Sequence, residues 1–598
     1  MHIRICLWGI VLALPLAANA NATERTAGYL PHAELGNAMQ QLAEQGGGHV
    51  NLEVLARSSG GRDVWMLRIA DQGPLPPEAR QAVLLVGGVA GHDPTGSAVC
   101  LELARKLVGA IGQSEDPLHA IVTERQVYVL PRLNPDGIER FFGQLQHAQP
   151  HNARAIDHDR DGVVNEDDIN DLNGDGMITV MRIPDPQGTW RLADGESNLM
   201  QLADRIAGER GTHRLEMEGV DDDGDGTRNE DGAGGVQIGR NFPHFFKPGN
   251  SDHGIHQLSE PETRGLAQFV VDRPQITLAV VYGLHDNLTE TPKGKQRGLD
   301  GRSYRDLHPD DVARYEHIAT TYKDITGLTG SGGTNPEGSL YGWLYSQRGI
   351  TTFALRPWWP VDRKVEEPEA PAEEAPSSAP ASQPEDAEAE KKKKPDKKAE
   401  QADKKAGGAT LGSYVSGLKW LAYSDKQRGG AGFVDWTKVE HPELGSVEVG
   451  GFAPYFKTVA PADELPGLAA QQAEFLAHAS GLLPAWRFES IETKELGGNV
   501  WRVRATLTND GYLPTHTAMA KHMRQPSIVL RTDLPADRVM GGQRVQRIAA
   551  LEGSGGAADA SWLVQGKPGD GFKLIAYQRA LGSLEASVTL QASNGEDN

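Results

Sequence analysis

The chain has 598 residues, 38% of them hydrophobic and 24% charged, with a formal net charge of -21 at neutral pH. That length exceeds what one hydrophobic core organises, so two or three folded units are expected. The acidic balance argues against nucleic acid or an anionic membrane as partner and leaves metal cations and basic partners open.

Residues 1–20 carry Arg4, an apolar run from Ile5 to Leu16 and the small-residue signal Ala18-Asn19-Ala20. This reads as a secretory signal peptide, so the mature protein is expected in the periplasm or outside the cell. An N-terminal anchor is the competing reading, but the run is short for a span and contains Pro15. No later segment is long and apolar enough to cross a bilayer. Of the two cysteines, Cys6 falls in the signal and Cys100 remains. The mature chain therefore makes no internal disulfide and no Cys-rich zinc cluster. Cys100 sits between Val99 and Leu101 and reads as a small buried residue rather than a nucleophile.

Residues 23–80 read as a helical and strand lead-in. The runs at 83–86, 127–130 and 277–282 are short and almost continuously apolar. Strands buried on both faces look like this. Val99, Leu103 and Leu107 recur at helical spacing between the first two runs. Strands alternating with helices predict an α/β fold with a mixed, mostly parallel sheet flanked by helices, over 23–362. Residues 363–408 break the texture: a Glu-, Pro- and Ala-rich block precedes a Lys-rich one. Such a segment lacks the apolar content to fold and is expected to be a disordered insertion. Residues 409–484 read as the end of the α/β domain with a connecting helix near 465–482. From 485 to 598 a small C-terminal β-sandwich is expected. Trp501, Val503, Ala505 and Leu507 alternate there with Arg502, Arg504, Thr506 and Thr508, and Asn509-Asp510-Gly511 makes a turn.

Residues 83–96 read Val-Leu-Leu-Val-Gly-Gly-Val-Ala-Gly-His-Asp-Pro-Thr-Gly. A buried strand, a glycine turn and a helix start follow one another, and α/β enzymes place chemistry at such turns. This segment resembles the first metal-binding motif of the zinc carboxypeptidases, His-Gly-Asn-Glu-Pro-x-Gly. Residues 58–62, 131–137, 240–243, 259–263 and 338–355 match that family in the same order. The resemblance implies a fold over most of residues 25–460 and a chemistry. Two His and one Glu hold zinc and leave a place for water, a Glu takes the water proton, and arginines hold the substrate carboxylate.

Carried over by position, that set is depleted. The first His position is Ala90, the Glu ligand position is Asp93, the second His position is Gly283, and the general-base position is Arg356. No Tyr stands near Gly333 for the assisting role. Arg182 matches the carbonyl-polarising arginine and Arg240 the carboxylate-binding one, whose Asn companion is Gly239. A guanidinium stays protonated and cannot act as a base. The resemblance therefore implies a catalytically degenerate homologue that binds a peptide or another carboxylate-bearing ligand, or a cleft that binds nothing. His92 and His285 keep an active alternative open, since each lies two residues past a lost His position. With Asp93 they could form a relocated zinc site, with Asp286 as a nearby acid. A third reading makes the protein a scaffold whose insertion and sandwich carry the interactions.

Three segments space acidic oxygens like calcium loops: Asp157-x-Asp159-x-Asp161-Gly162, Asp171-x-Asn173-x-Asp175-Gly176 and Asp221-x-Asp223-x-Asp225-Gly226. Alternate oxygens with a glycine turn suit Ca²⁺. The loops lack the Glu at position twelve, so bound calcium that stabilises a loop is expected rather than EF-hand domains. Solvated acidic turns are the plain alternative.

Overall fold

The computed structural model describes residues 26–156, 164, 169–193, 198–222, 235–298, 301, 303–363, 417–523 and 526–591. The signal-peptide reading, residues 364–408 of the charged insertion, and Asp157, Asp159, Asp161, Asp223 and Asp225 lie outside them. Among the described residues no helix is long and apolar enough to cross a membrane. The chain divides into two units: residues 1–168, 230–359 and 457–598 form the first, and 169–229 with 360–456 form the second.

The first unit contains a six-stranded sheet. Its order is Val50–Arg57, Asp63–Ile69, Gln126–Leu130, Ala82–Val86, Ile276–Tyr282 and Thr351–Leu355. The last four strands run parallel, and the first two are antiparallel additions. Every residue of Ala82–Val86, Gln126–Leu130 and Thr351–Leu355 is buried. The apolar runs are continuous because both faces of these strands are covered. On one face Leu84, Val86 and Ala354 pack with Leu266 and Val270 of the Pro261–Asp272 helix and with Trp343 and Leu344 of the Leu340–Arg348 helix. On the other, Phe353 meets Phe475 of the Leu465–Gly481 helix, whose ring also meets Tyr322 of the Pro309–Thr326 helix. Val99, Leu103 and Leu107 are fully buried on the Pro94–Gly109 helix. Cys100 is buried beside them, and its Sγ lies 3.7 Å from the Leu130 carbonyl oxygen. Burial raises its thiol pKa far above the usual range, so it behaves as core.

The C-terminal part of this unit is two four-stranded antiparallel sheets. One contains Trp486–Gly497, Val500–Asn509, Gly556–Gln565 and Val539–Gly541; the other contains Val545–Ile548, Ile528–Thr532, Gly571–Gln578 and Gly582–Thr589. Trp501, Val503, Ala505 and Leu507 point inward with Trp562 and meet Ile528, Leu530, Leu574 and Ala576 of the facing sheet. Arg502 and Arg504 face solvent, as the alternation requires.

The second unit holds another six-stranded antiparallel sheet, which the sequence reading does not anticipate. Its order is Phe433–His441, Gly445–Phe452, Val180–Pro184, His213–Met217, Trp190–Leu192 and Met200–Leu202. Gly445–Phe452 pairs with Val180–Pro184 on one side and with Phe433–His441 on the other. Trp190–Leu192 and Met200–Leu202 are too short to show a period, and Val180–Pro184 lies far along the chain from Gly445–Phe452.

Candidate active-site cleft

The first unit's parallel strands end together. Gly87 N donates to the Leu130 carbonyl at 2.9 Å, and Gly283 N donates to the Leu355 carbonyl at 2.9 Å. A Cβ on Gly96 would sit 2.5 Å from the Tyr282 carbonyl oxygen, so only glycine lets this helix start press on the strand end. The turns after these strands bring Ala90, His92, Asp93, Gly283, His285, Asp286 and Arg356 to one edge of the sheet, where open α/β sheets bind ligands.

Asp93 is the N-cap of the Pro94–Gly109 helix: its Oδ1 accepts from Gly96 N at 3.3 Å. Its Oδ2 is buried without a hydrogen-bond partner. Burial pushes its carboxyl up to about 7, while the Gly96 amide and the Arg356 charge pull the other way. The His92 carbonyl accepts from Thr458 Oγ1 at 2.6 Å, and its ring Nδ1 is buried without a partner. Burial, with the charges of His151 and Arg356, lowers that imidazole to about 4, so it is neutral at pH 7. His285 Nδ1 accepts from Asn335 N at 3.3 Å. Burial, then the charges of Arg240 and Arg356, lowers it to about 3.

Arg356 follows the Thr351–Leu355 strand. Its Nη2 donates to the Lys457 carbonyl at 2.9 Å, and its guanidinium carbon lies 4.0 Å from the centre of the Trp359 ring. Burial lowers its pKa to about 10 and the carboxylates of Asp93 and Asp286 oppose that shift, so the group stays charged. Asp286 is not a free acid. Its Oδ1 accepts from the amides of Leu288 at 2.9 Å and Thr289 at 2.6 Å, and its Oδ2 accepts from Thr289 Oγ1 at 2.9 Å. Burial still pushes its carboxyl up to about 6. It braces the turn behind Arg356.

Arg240 ends the short Ile238–Arg240 helix, and its Nη1 donates to the Glu337 carbonyl at 3.1 Å. A Cβ on the preceding Gly239 would stand 3.3 Å from Val89 Cγ1, which puts this segment against the 87–93 turn. Asn241 holds the loop together: its Nδ2 donates to the His253 and His256 carbonyls at 2.7 and 3.0 Å. Tyr341 lies beside His285, with ring centres 5.4 Å apart, and interacts electrostatically with Arg240. The sequence carried no signal for His151 or Trp359, because no motif spacing leads to them, and it gave Tyr341 no role although that residue lies within the matching segment 338–355. Arg182 belongs to the second unit. Its Nε donates to Glu448 Oε2 at 2.7 Å, and its guanidinium carbon lies 4.5 Å from the Trp436 ring centre.

Zinc chemistry in a carboxypeptidase needs three donor side chains and a base. Ala90 and Gly283 offer no donor atom, Asp93 spends one oxygen on the helix start, and Arg356 is a cation. The structure does not gather His92, Asp93 and His285 into a metal-holding set. Among the described residues no three His, Cys, Asp or Glu side chains are arranged to hold a metal ion. The zinc donor set does not fit here. In the second unit the Asp171 loop is closed on itself. Asp171 Oδ1 accepts from Gly174 N at 2.8 Å, its Oδ2 from Gly176 N at 2.7 Å, and Asn173 Oδ1 from Asp175 N at 3.0 Å. The spacing read as a calcium signal is used here to satisfy turn amides.

Residues 35–176 match the family model described as zinc carboxypeptidase, and residues 486–589 match a domain of unknown function. Carboxypeptidase D of Anas platyrhynchos is 33% identical over 143 residues, 19% of this chain and 10% of that protein. The carboxypeptidase SOL1 of Arabidopsis thaliana is 29% identical over 139 residues, 23% of this chain and 26% of that protein. An inactive metallocarboxypeptidase of Ajellomyces dermatitidis is 28% identical over 109 residues, 18% of each chain. The chain thus spans about a tenth of the carboxypeptidase D it matches. Among solved structures, thrombin activatable fibrinolysis inhibitor overlaps 57% of this chain and 74% of its own, at 13% identity and a TM-score of 0.36. Carboxypeptidase A of Helicoverpa armigera overlaps 57% and 69%, at 15% identity and a TM-score of 0.33.

Proposed function

We propose that this zinc-carboxypeptidase-family protein is exported and uses its cleft to bind the carboxylate end of a peptide, or another carboxylate-bearing ligand, without hydrolysing it. The observation that carries the reading is Arg356. It stands where the family resemblance puts the general base, is braced by Trp359 and the Lys457 carbonyl, and keeps its charge despite burial. A permanent cation cannot take a proton from water, but it can hold a carboxylate. Arg240 supports the reading, since its charge and that of Arg356 both act on the His285 ring. Arg182 has no part in it: Glu448 and Trp436 already engage its guanidinium.

The test compares N-acetylated tripeptides with free and amidated C-termini, by calorimetry on the full chain. Free-carboxylate peptides are expected to bind, and Arg356→Gln and Arg240→Gln each to weaken them about tenfold, the effect of one charge-assisted hydrogen bond. Zinc content and release of C-terminal residues are measured alongside. One equivalent of zinc, lost in both His92→Ala and His285→Ala and accompanied by hydrolysis, would replace this reading with the relocated active site.

A further inference from the structure

A second positively charged cleft lies in the first unit, away from the strand ends just described. Its wall combines the C-terminal end of the Leu340–Arg348 helix, the segment after the Pro261–Asp272 helix, and the loops of the C-terminal sandwich. It is partly open to solvent. Arg273, Arg348 and Arg579 line it, together with His516 and Gln578, and no Asp or Glu does. In a chain of net charge -21 an acid-free cleft with three arginines is out of character.

The arginines differ in how far they are committed. Arg273 stacks on Phe269, its guanidinium carbon 3.7 Å from the ring centre, and reaches Glu53 Oε1 at 4.0 Å. Arg348 has no such partner. Its Nε is buried without a hydrogen bond, and among the described residues no carboxylate pairs with it. The cation of Arg579 acts on it; this arginine enters from the sandwich and also lacks an acidic partner among the described residues. Burial and that repulsion lower the Arg348 pKa. The carbonyl end of the Leu340–Arg348 helix offsets part of one positive charge, not two. Behind the arginines His516 and Gln578 are buried, their side chains 3.1 Å apart. Two like charges facing one cleft, one with a buried donor left open, are stable together when an anion sits between them.

We propose that Arg348 and Arg579 form a binding site for an oxyanion group, a carboxylate or a phosphate, at the junction of the α/β fold and the sandwich. The guanidinium forks supply paired N–H donors of the geometry that either group accepts. Arg273 adds positive field from the wall. The site does not depend on the reading of the Arg356 cleft, and the two can fail separately.

The experiment is calorimetric titration of the full chain with inorganic phosphate and with acetate, at constant ionic strength held by chloride. One saturable equivalent of phosphate or acetate that persists in the Arg356→Gln protein is expected, and whichever binds more tightly there identifies the group. Arg348→Gln and Arg579→Gln should each weaken binding about tenfold, the worth of one charge-assisted contact. Arg356→Gln should leave it unchanged. Arg579 is exposed, so its variant keeps the fold and carries the test if Arg348→Gln does not. No saturable binding of either anion overturns the proposal. So does binding that survives Arg579→Gln unchanged, or binding that only Arg356→Gln removes.

Discussion

A Cβ placed on Gly283 would stand 3.7 Å from the Oδ2 of Asp93, an ordinary contact with room to accept it. The position where the family resemblance expects the second histidine therefore abuts the position where it expects the glutamate. Ala90→His, Gly283→His and Arg356→Glu together are expected to create a zinc site with Asp93, read as one equivalent of zinc retained through dialysis. The parent chain should retain none. Equal zinc in both proteins would show that the lost donors are not what decides metal binding here.

Glu262 gives a pH prediction. It is fully buried on the Pro261–Asp272 helix, and burial, followed by the charges of Glu260 and Asp136, raises its carboxyl from 4.5 to about 7. The folded form therefore holds this proton more tightly than the unfolded one. Its contribution to stability is full below the unfolded pKa and is lost as pH rises through about 7. Glu262→Gln should leave stability at pH 4 nearly unchanged and raise it at pH 8 by roughly 3 kcal/mol at most. Urea unfolding at the two pH values measures the difference, and equal shifts at both would refute the burial argument.

The Arg182–Glu448 pair ties strands that are 266 residues apart in the chain. The two side chains are 13% and 26% exposed, so the pair is partly desolvated. Glu448→Ala would leave the Arg182 guanidinium uncompensated at about 1–3 kcal/mol, below the cost for a fully buried pair. Arg182→Lys keeps the charge but loses the flat stack on Trp436. Hydrogen exchange of Val180–Pro184 and Gly445–Phe452 should quicken in both variants, while the C-terminal sandwich keeps its protection.

Trp501 and Trp562 fill the sandwich interior, and each indole is hydrogen-bonded. Trp501 Nε1 donates to the Gly566 carbonyl and Trp562 Nε1 to the Gln543 carbonyl, both at 2.9 Å. Either Trp→Ala change should cost about 3–5 kcal/mol, as for other large core truncations. Trp→Phe should cost less, losing the hydrogen bond while keeping most of the packing. Thermal unfolding with the far-UV signal of the sandwich separates the two.

Much of the fold was legible because its signals are local. The runs at 83–86, 127–130 and 277–282 announced strands buried on both faces, and the alternation from Trp501 to Leu507 announced one face of a sandwich. The second unit's sheet was not legible. Trp190–Leu192 and Met200–Leu202 are three-residue strands, and Val180–Pro184 finds its partner at Gly445–Phe452. No window along the chain contains both halves of that pairing.

The candidate site divides along the same line. The sequence by itself determined which chemical groups stand in the cleft: no imidazole at Ala90 or Gly283, and a permanent cation at Arg356. Those statements need only residue identity and order. Only the tertiary structure decided how the remaining groups are used. Asp93 caps a helix, Asp286 braces a turn, Arg356 leans on Trp359 and the Lys457 carbonyl, and the His92 carbonyl is held by Thr458. A side chain's hydrogen-bond partners and burial come from residues far along the chain, and those contacts set whether a carboxylate or an imidazole is free to bind a metal or already committed to the fold.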